Sequence, residues 1–196
     1  MSSQGADYDW GDRLPTLTGP RVELRWLGEE DVPALFEIFS DPEVMRYWDS
    51  PPLGDLAAAA GLLREIHDHF RARTLFQWGI APRGGGAVLG TCTLFRWEAR
   101  HRRAEIGFAL GRAHQGKGFA AEAVALLLSF AFQSLGIHRL EADADPRNEP
   151  SLRLLERLGF RREGYLRERY HTNGEVQDSV ILGLLRPEWE VASSPT

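Results

Sequence analysis

The stretch Gly111–Ala120, GRAHQGKGFA, lies between the apolar run EIGFAL and the apolar run EAVALLLSFAF, and its reading decides the fold. It nearly spells a triphosphate-binding loop, G-x-x-x-x-G-K-[ST], but Gly118 stands where a hydroxyl should be. Without that hydroxyl Mg²⁺ lacks a ligand. The later strand HRLEADAD is also not apolar enough to end in the second acidic ligand that such a site needs. The physical content of the stretch survives the failed match. A strand passing through glycines into a helix N-terminus presents free N–H groups and the positive end of the helix dipole, which suits an anion. Gly116 and Gly118 allow close backbone approach and Lys117 adds positive charge. A tight strand-to-helix corner without a ligand is the alternative.

Working outward, the order of elements excludes a doubly wound parallel sheet. RVELRWL (21–27) alternates and reads as a strand. Two helical segments follow, GEEDVPALFEIFSD and PPLGDLAAAAGLLREIHDHFRAR, the second with Asp55 as N-cap; PEVMRYW is a short helical turn between them. Then come LFQWGIAP, GAVLGTCTLFRWE and RRAEIGFALG, three strand-like runs without an intervening helix, the first two separated by the RGGG turn at 83–86. After the quoted loop a helix runs to Gly136, HRLEADAD is a strand, NEPSLRLLERLG a short helix, and the remainder a hairpin turning at Asn173-Gly174. Successive strands of this kind pair mostly antiparallel, so the class is α+β. Residues 1–19 read as a loose arm that Trp10 could pin to the body, 20–190 as one domain, and 191–196 as a tail.

Composition narrows the function. A net charge of -5 argues against broad nucleic-acid binding. The single cysteine, Cys92, excludes an internal disulfide and a cysteine-rich metal site, and fits a reducing compartment. The start of the chain has neither a basic nor an apolar leader region, and the apolar runs are too short to cross a bilayer; cytoplasmic location without membrane association is expected. None of the histidines forms a metal-ligand pattern; His67 and His69 are two apart on one helix, and His114 is a loop residue that could touch a ligand but reads more simply as solvated.

Read from Gln115 instead of Gly111, the loop is Gln115-x-x-Gly118-x-Ala120, which resembles the Q/R-x-x-G-x-G/A signature of the GNAT superfamily of N-acetyltransferases. About thirty residues later, NEPSLRLLERLGF resembles the family's Asn-x-x-Ser/Ala…Gly-Phe element, and the two ends of the chain resemble the RimJ/RimL-like branch, which acetylates ribosomal-protein N-termini and has small-molecule relatives. The resemblance covers roughly residues 20–190. It implies a mostly antiparallel mixed sheet of about seven strands, helices on both faces and a splayed central cleft. It implies acetyl-CoA as co-substrate, no metal, and an amine acceptor, either a small molecule or a protein N-terminus. A homodimer is compatible with it.

The site residues follow from the same resemblance. Phe108, Ala109 and Leu110 would pair their backbone with pantetheine, and an N–H near Leu110 would polarise the thioester carbonyl. Gln115, Gly116, Lys117, Gly118, Phe119 and Ala120 would hold the pyrophosphate, with Asn148 on the pantetheine arm or capping its helix. Glu105 is the candidate base, its alternative being a solvated strand face or an ion pair with an arginine. The family's acid tyrosine is replaced by Leu155, so Ser151 is the candidate near the thiol sulfur, its alternative being a local helix-start hydrogen bond. The missing tyrosine also leaves room for a CoA-binding sensor without turnover. For the acceptor, Tyr47, Trp48, Trp78, Trp97, Tyr165, Tyr170 and His171 fall in the expected region, the tryptophans mainly as packing, and acidic Glu37, Asp41 and Glu43 could meet a cationic amine.

Overall fold

The computed structural model describes residues 8–48, 50–172 and 174–193. A single eight-stranded sheet carries the strands in the order β1-β2-β3-β4-β5-β6-β8-β7. They are β1 (Leu17–Thr18), β2 (Val22–Arg25), β3 (Leu75–Pro82), β4 (Gly90–Glu98), β5 (Arg103–Leu110), β6 (Arg139–Ala144), β7 (Arg161–Thr172) and β8 (Glu175–Leu185). The helices are α1 (Val32–Phe39), α2 (Pro42–Met45), α3 (Leu56–Ala72), α4 (Phe119–Ser129), α5 (Glu149–Arg157) and α6 (Arg186–Ser193). Every neighbouring pair is antiparallel except β5 and β6.

The expected α+β class with a mostly antiparallel mixed sheet is borne out. The sheet has eight strands, counting the two-residue Leu17–Thr18, which lies inside the expected loose arm and pairs with Glu23–Leu24 of β2. From residue 8 onward that arm is packed down: Trp10 is buried, stacks on Phe76 at 4.0 Å between ring centroids, and meets Trp97 and Phe130 edge-on. The end of the domain forms α6, which runs from Arg186 into the expected tail as far as Ser193; Glu188 accepts the Leu185 N–H at its start. Residues 1–7 and 194–196, which complete the arm and the tail, and Asn173 of the hairpin turn, lie outside the described residues; β7 and β8 pair up to Thr172 opposite Glu175.

The strand alternation sends apolar side chains to both faces of the sheet. In β3, Phe76, Trp78 and Ile80 join the core built with α4, including Ala123, Val124 and Leu127. Ala81 of the same strand faces the second core, made with Leu35, Ile38, Leu63 and Ile66 of α1 and α3. Asp55 caps α3 as the sequence predicts, accepting the Ala58 N–H at 2.8 Å. Before α1, buried Asp31 takes two 2.7 Å hydrogen bonds from Arg25 and a third from the Gly28 N–H, which fixes the helix start to β2. α4 continues into a π turn over Phe130–Ser134, and Gly136 follows at φ 63°. Among the described residues, no helix is long and apolar enough to cross a membrane.

Candidate active site

The site is the place where the sheet comes apart. β5 and β6 pair in parallel only over Arg103–Glu105 and Arg139–Glu141. Beyond Glu105 the two strands diverge, so the β5 edge from Ile106 to Leu110 faces open space instead of a partner strand, a ready template for an added extended chain. Two cavities occupy the gap. One, of about 490 Å³, is bordered by Phe108, Ala109, Leu110, Gln115, Gly116, Gly118 and Ala120. The other, of about 360 Å³, is bordered by Glu105, Gly107, Thr93, Gln77, Asp143 and Tyr170. They share a wall made by Tyr47, Trp48, Phe108, Asn148 and Ser151.

The larger cavity has the features of an anion cradle. Gly116 and Gly118 take φ of 72° and 83°, left-handed values that turn the chain into α4. The first intrahelical bond is Glu122 N–H to the Gly118 carbonyl, so the amides of Phe119, Ala120 and Ala121 precede it and have no acceptor within the helix. The Gln115 carboxamide donates to the Leu110 carbonyl at 3.0 Å and ties the loop to the end of β5.

A second tie joins the loop and α4 to β2. Glu122, in the first turn of α4, accepts the backbone N–H groups of Arg21 and Val22 at 2.7 and 3.0 Å and the Arg21 guanidinium at 2.9 Å. Arg21 then donates to the Lys117 carbonyl at 3.0 Å and lies over the Phe119 ring. Burial pushes the Glu122 carboxyl up, but the hydrogen bonds and charge from Arg21 more than reverse this and hold it below its ordinary value. The clamp spans about 100 residues of sequence and has no local signature. On the other side of the loop Arg112 pairs with Asp41 at 3.2 Å.

Of the residues expected at the cofactor, the structure brings Phe108, Ala109, Leu110, Gln115, Gly116, Gly118, Ala120 and Asn148 to the wall of the larger cavity, together with Ser151. It does not bring Lys117 and Phe119 there. The carbonyl of Lys117 is turned to Arg21, and the Phe119 ring packs on the core beneath the same guanidinium. Asn148 caps α5, its side chain accepting the Ser151 N–H at 3.3 Å. Leu155 lines the smaller cavity as a buried aliphatic side chain.

Glu105 borders the smaller cavity, and the arginine partner weighed for it is present. Arg96 donates to both its oxygens at 2.9 and 3.0 Å. Arg96 stands at φ 48° in the β4 bulge between Phe95 and Glu98, an unusual conformation for a residue with a Cβ, and Glu105 holds its guanidinium further on the charged side. Asp143 accepts from Tyr170, Arg169 and Ser179, and Asp145 pairs with Arg147. The acidic residues proposed for the acceptor sit elsewhere: Glu37 is exposed on α1, Asp41 caps α2, and Glu43 borders the larger cavity. Tyr47, Trp48 and Tyr170 reach the smaller cavity. Trp78 is fully buried with its indole N–H on the Pro15 carbonyl, and Trp97 packs on the core. Among the described residues, no group of three or more His, Cys, Asp or Glu could hold a metal ion.

Comparison with known proteins agrees with this geometry. Residues 21–161 match the acetyltransferase (GNAT) domain family. The chain is similar to the uncharacterized N-acetyltransferase p20 of Bacillus licheniformis, 37% identical over 176 residues that cover 90% of this chain and 99% of the other. It is 27% identical to the spermidine N(1)-acetyltransferase of Escherichia coli (strain K12), over 86% of this chain and 88% of that one. Among solved structures, a probable acetyltransferase (GNAT family) from Chromobacterium violaceum matches with a TM-score of 0.81 at 27% identity, covering 91% of this chain and 90% of that one. With a matching domain over most of its length and relatives aligned almost end to end, the chain belongs to the GNAT family of N-acetyltransferases.

Proposed function

We propose that the protein transfers the acetyl group of acetyl-CoA to a primary amine by direct attack, with both substrates bound at once. The observation that carries this reading is the pair of cavities meeting at one wall. A cofactor with a phosphate-rich end suits the larger cavity, where glycine-lined backbone leads to a helix N-terminus. Acetyl-CoA, when bound, supplies an acetyl group activated as a thioester. The backbone of Gly116, Gly118 and Ala120 would hold its pyrophosphate and the open β5 edge its pantetheine amides. Held in this way, the thioester would reach the wall the two cavities share, and an amine in the smaller cavity would meet it there.

The chain's own residues have three tasks there. The first is to hold the amine against the acetyl carbon, so that proximity and orientation provide most of the acceleration. The second falls to Glu105, whose carboxylate takes the proton that the amine loses as the N–C bond forms. Arg96 fixes that carboxylate without closing the cavity. The third is to return a proton to the sulfur as the C–S bond breaks. With Leu155 where a phenol would stand, we assign this task to the Ser151 hydroxyl; the support is that Ser151 borders both cavities. The RimJ/RimL-like resemblance and the spermidine-acetylating relative leave a protein N-terminus and a small amine as acceptor types. The test is release of free CoA thiol over an acceptor panel, with wild type and Glu105→Gln. Turnover that collapses in the variant supports the reading; acetyl-CoA binding with no turnover on any amine favours a sensor.

A further inference from the structure

The floor of the acceptor cavity is neutral, polar and unpaired. β3 and β4 are in register with Gln77 opposite Thr93, and Thr93 in turn opposite Gly107 of β5, the position at which the cleft opens. Strand alternation turns Gln77 and Thr93 to the cavity face, while Phe76, Trp78 and Leu94 enter the core behind. Gln177 of β8, opposite Tyr170, closes the far side. The three residues are buried almost completely, with 9%, 7% and 6% of their surface exposed. Even so, none of their side chains makes a hydrogen bond to a described residue, and their polar atoms are not sealed in the way the Thr91 hydroxyl is. They therefore open onto the cavity.

Buried amides and hydroxyls are ordinarily satisfied, because leaving them dry costs free energy. The four carboxylates of the same cavity are already engaged: Glu105 by Arg96, Asp143 by Arg169 and Tyr170, Asp145 by Arg147, and Asp178 by the Tyr165 hydroxyl and the Glu168 N–H. What the cavity offers a newcomer is a row of neutral donors and acceptors beside the candidate base. We infer that Gln77, Thr93 and Gln177 determine acceptor specificity by binding an oxygen, hydroxyl or amide carbonyl, carried next to the reacting amine. An alkyl amine without that oxygen leaves the row unpaired and is disfavoured.

This inference rests on the acetyl-transfer reading, and the experiment separates the two. Thiol release is measured with acetyl-CoA and four amines: glucosamine and glycinamide, which carry the oxygen as hydroxyl or as amide, and cyclohexylamine and putrescine, which carry none. Acetyl-CoA affinity is measured in parallel by calorimetry. At least one oxygen-bearing amine is expected to exceed both alkyl amines about 100-fold in kcat/KM, since a site built to hydrogen-bond a substrate rejects the analogue lacking that group. Whichever of the two is faster identifies hydroxyl or amide as the source. The near-isosteric variants Gln77→Leu and Thr93→Val should each reduce that preference at least 10-fold, with acetyl-CoA affinity and melting temperature retained. Equal turnover of alkyl amines, no turnover of either oxygen-bearing amine by protein that binds acetyl-CoA, or a preference unchanged in both variants overturns the inference. Failure to bind acetyl-CoA overturns the acetyl-transfer reading instead.

Discussion

Glu105 is bound through both oxygens by an arginine in a left-handed bulge, and it faces the cavity that would receive the amine. Glu105→Gln keeps the shape and removes the proton acceptor, so kcat/KM near pH 7 should fall about 100-fold. The deficit should narrow as pH rises through the amine's own pKa, about 8 for an α-amine, because the amine then arrives already deprotonated. A deficit independent of pH would assign Glu105 to structure alone. Gly118 makes a different point. At φ 83° any Cβ is strained, and here it would lie 3.0 Å from an Arg21 guanidinium nitrogen. Gly118→Ala should weaken acetyl-CoA binding at least 10-fold, read by calorimetry. Cys92 is fully buried and its thiol is pushed up to about 12. It should be inert to thiol reagents at pH 8 in the native protein and titrate as one thiol in denaturant. At this scale the sequence was legible wherever a residue type dictates local backbone, as for the loop glycines and the caps Asp55 and Asn148. The Arg96 partner of Glu105 depended on a β4 bulge, which no local pattern announces.

Helix α4 is held in place by more than its apolar face. The Glu122 carboxylate joins it to β2 through two backbone N–H groups and Arg21, and Arg21 reaches on to the loop. Arg21→Ala should therefore raise the dissociation constant for acetyl-CoA several-fold while changing kcat little, which steady-state kinetics would show as a KM effect. Glu122 is held below its ordinary value of 4.5, so its contribution to stability is present above that pH and is lost as pH falls through the lower, folded-state value. The stability gap between wild type and Glu122→Gln, measured by denaturant titration, should accordingly be full at pH 7 and close on acidification below about 4.5. On the opposite face, Asp31→Ala would strand the Arg25 guanidinium, which is only 18% exposed, and should cost about 3 kcal/mol of unfolding free energy. Helices and strands were legible from periodicity and caps. The clamp was not, because its partners are about 100 residues apart and meet only when β1 and β2 join the sheet edge.

At the scale of the molecule, the antiparallel order of β3 to β5 followed from strands that succeed one another without helices, and the single parallel pair is where the cleft opens. That much was legible, as was the gathering of Phe108–Leu110 and the loop glycines at one cavity. The smaller cavity was less so: it is assembled from β3, β4, β5, β6, β8 and the segment around Tyr47, and alternation alone does not say which face of a strand meets a void and which meets a core. Gln77 and Thr93 accordingly carry no local mark of the cavity they border. The central claim is that the cavity between β5 and α4 holds acetyl-CoA. Isothermal titration of the purified protein with acetyl-CoA tests it most directly. The account predicts saturable 1:1 binding with a dissociation constant below 1 mM, weakened at least 10-fold by Gly118→Ala. No heat of binding up to millimolar ligand from folded protein would contradict it.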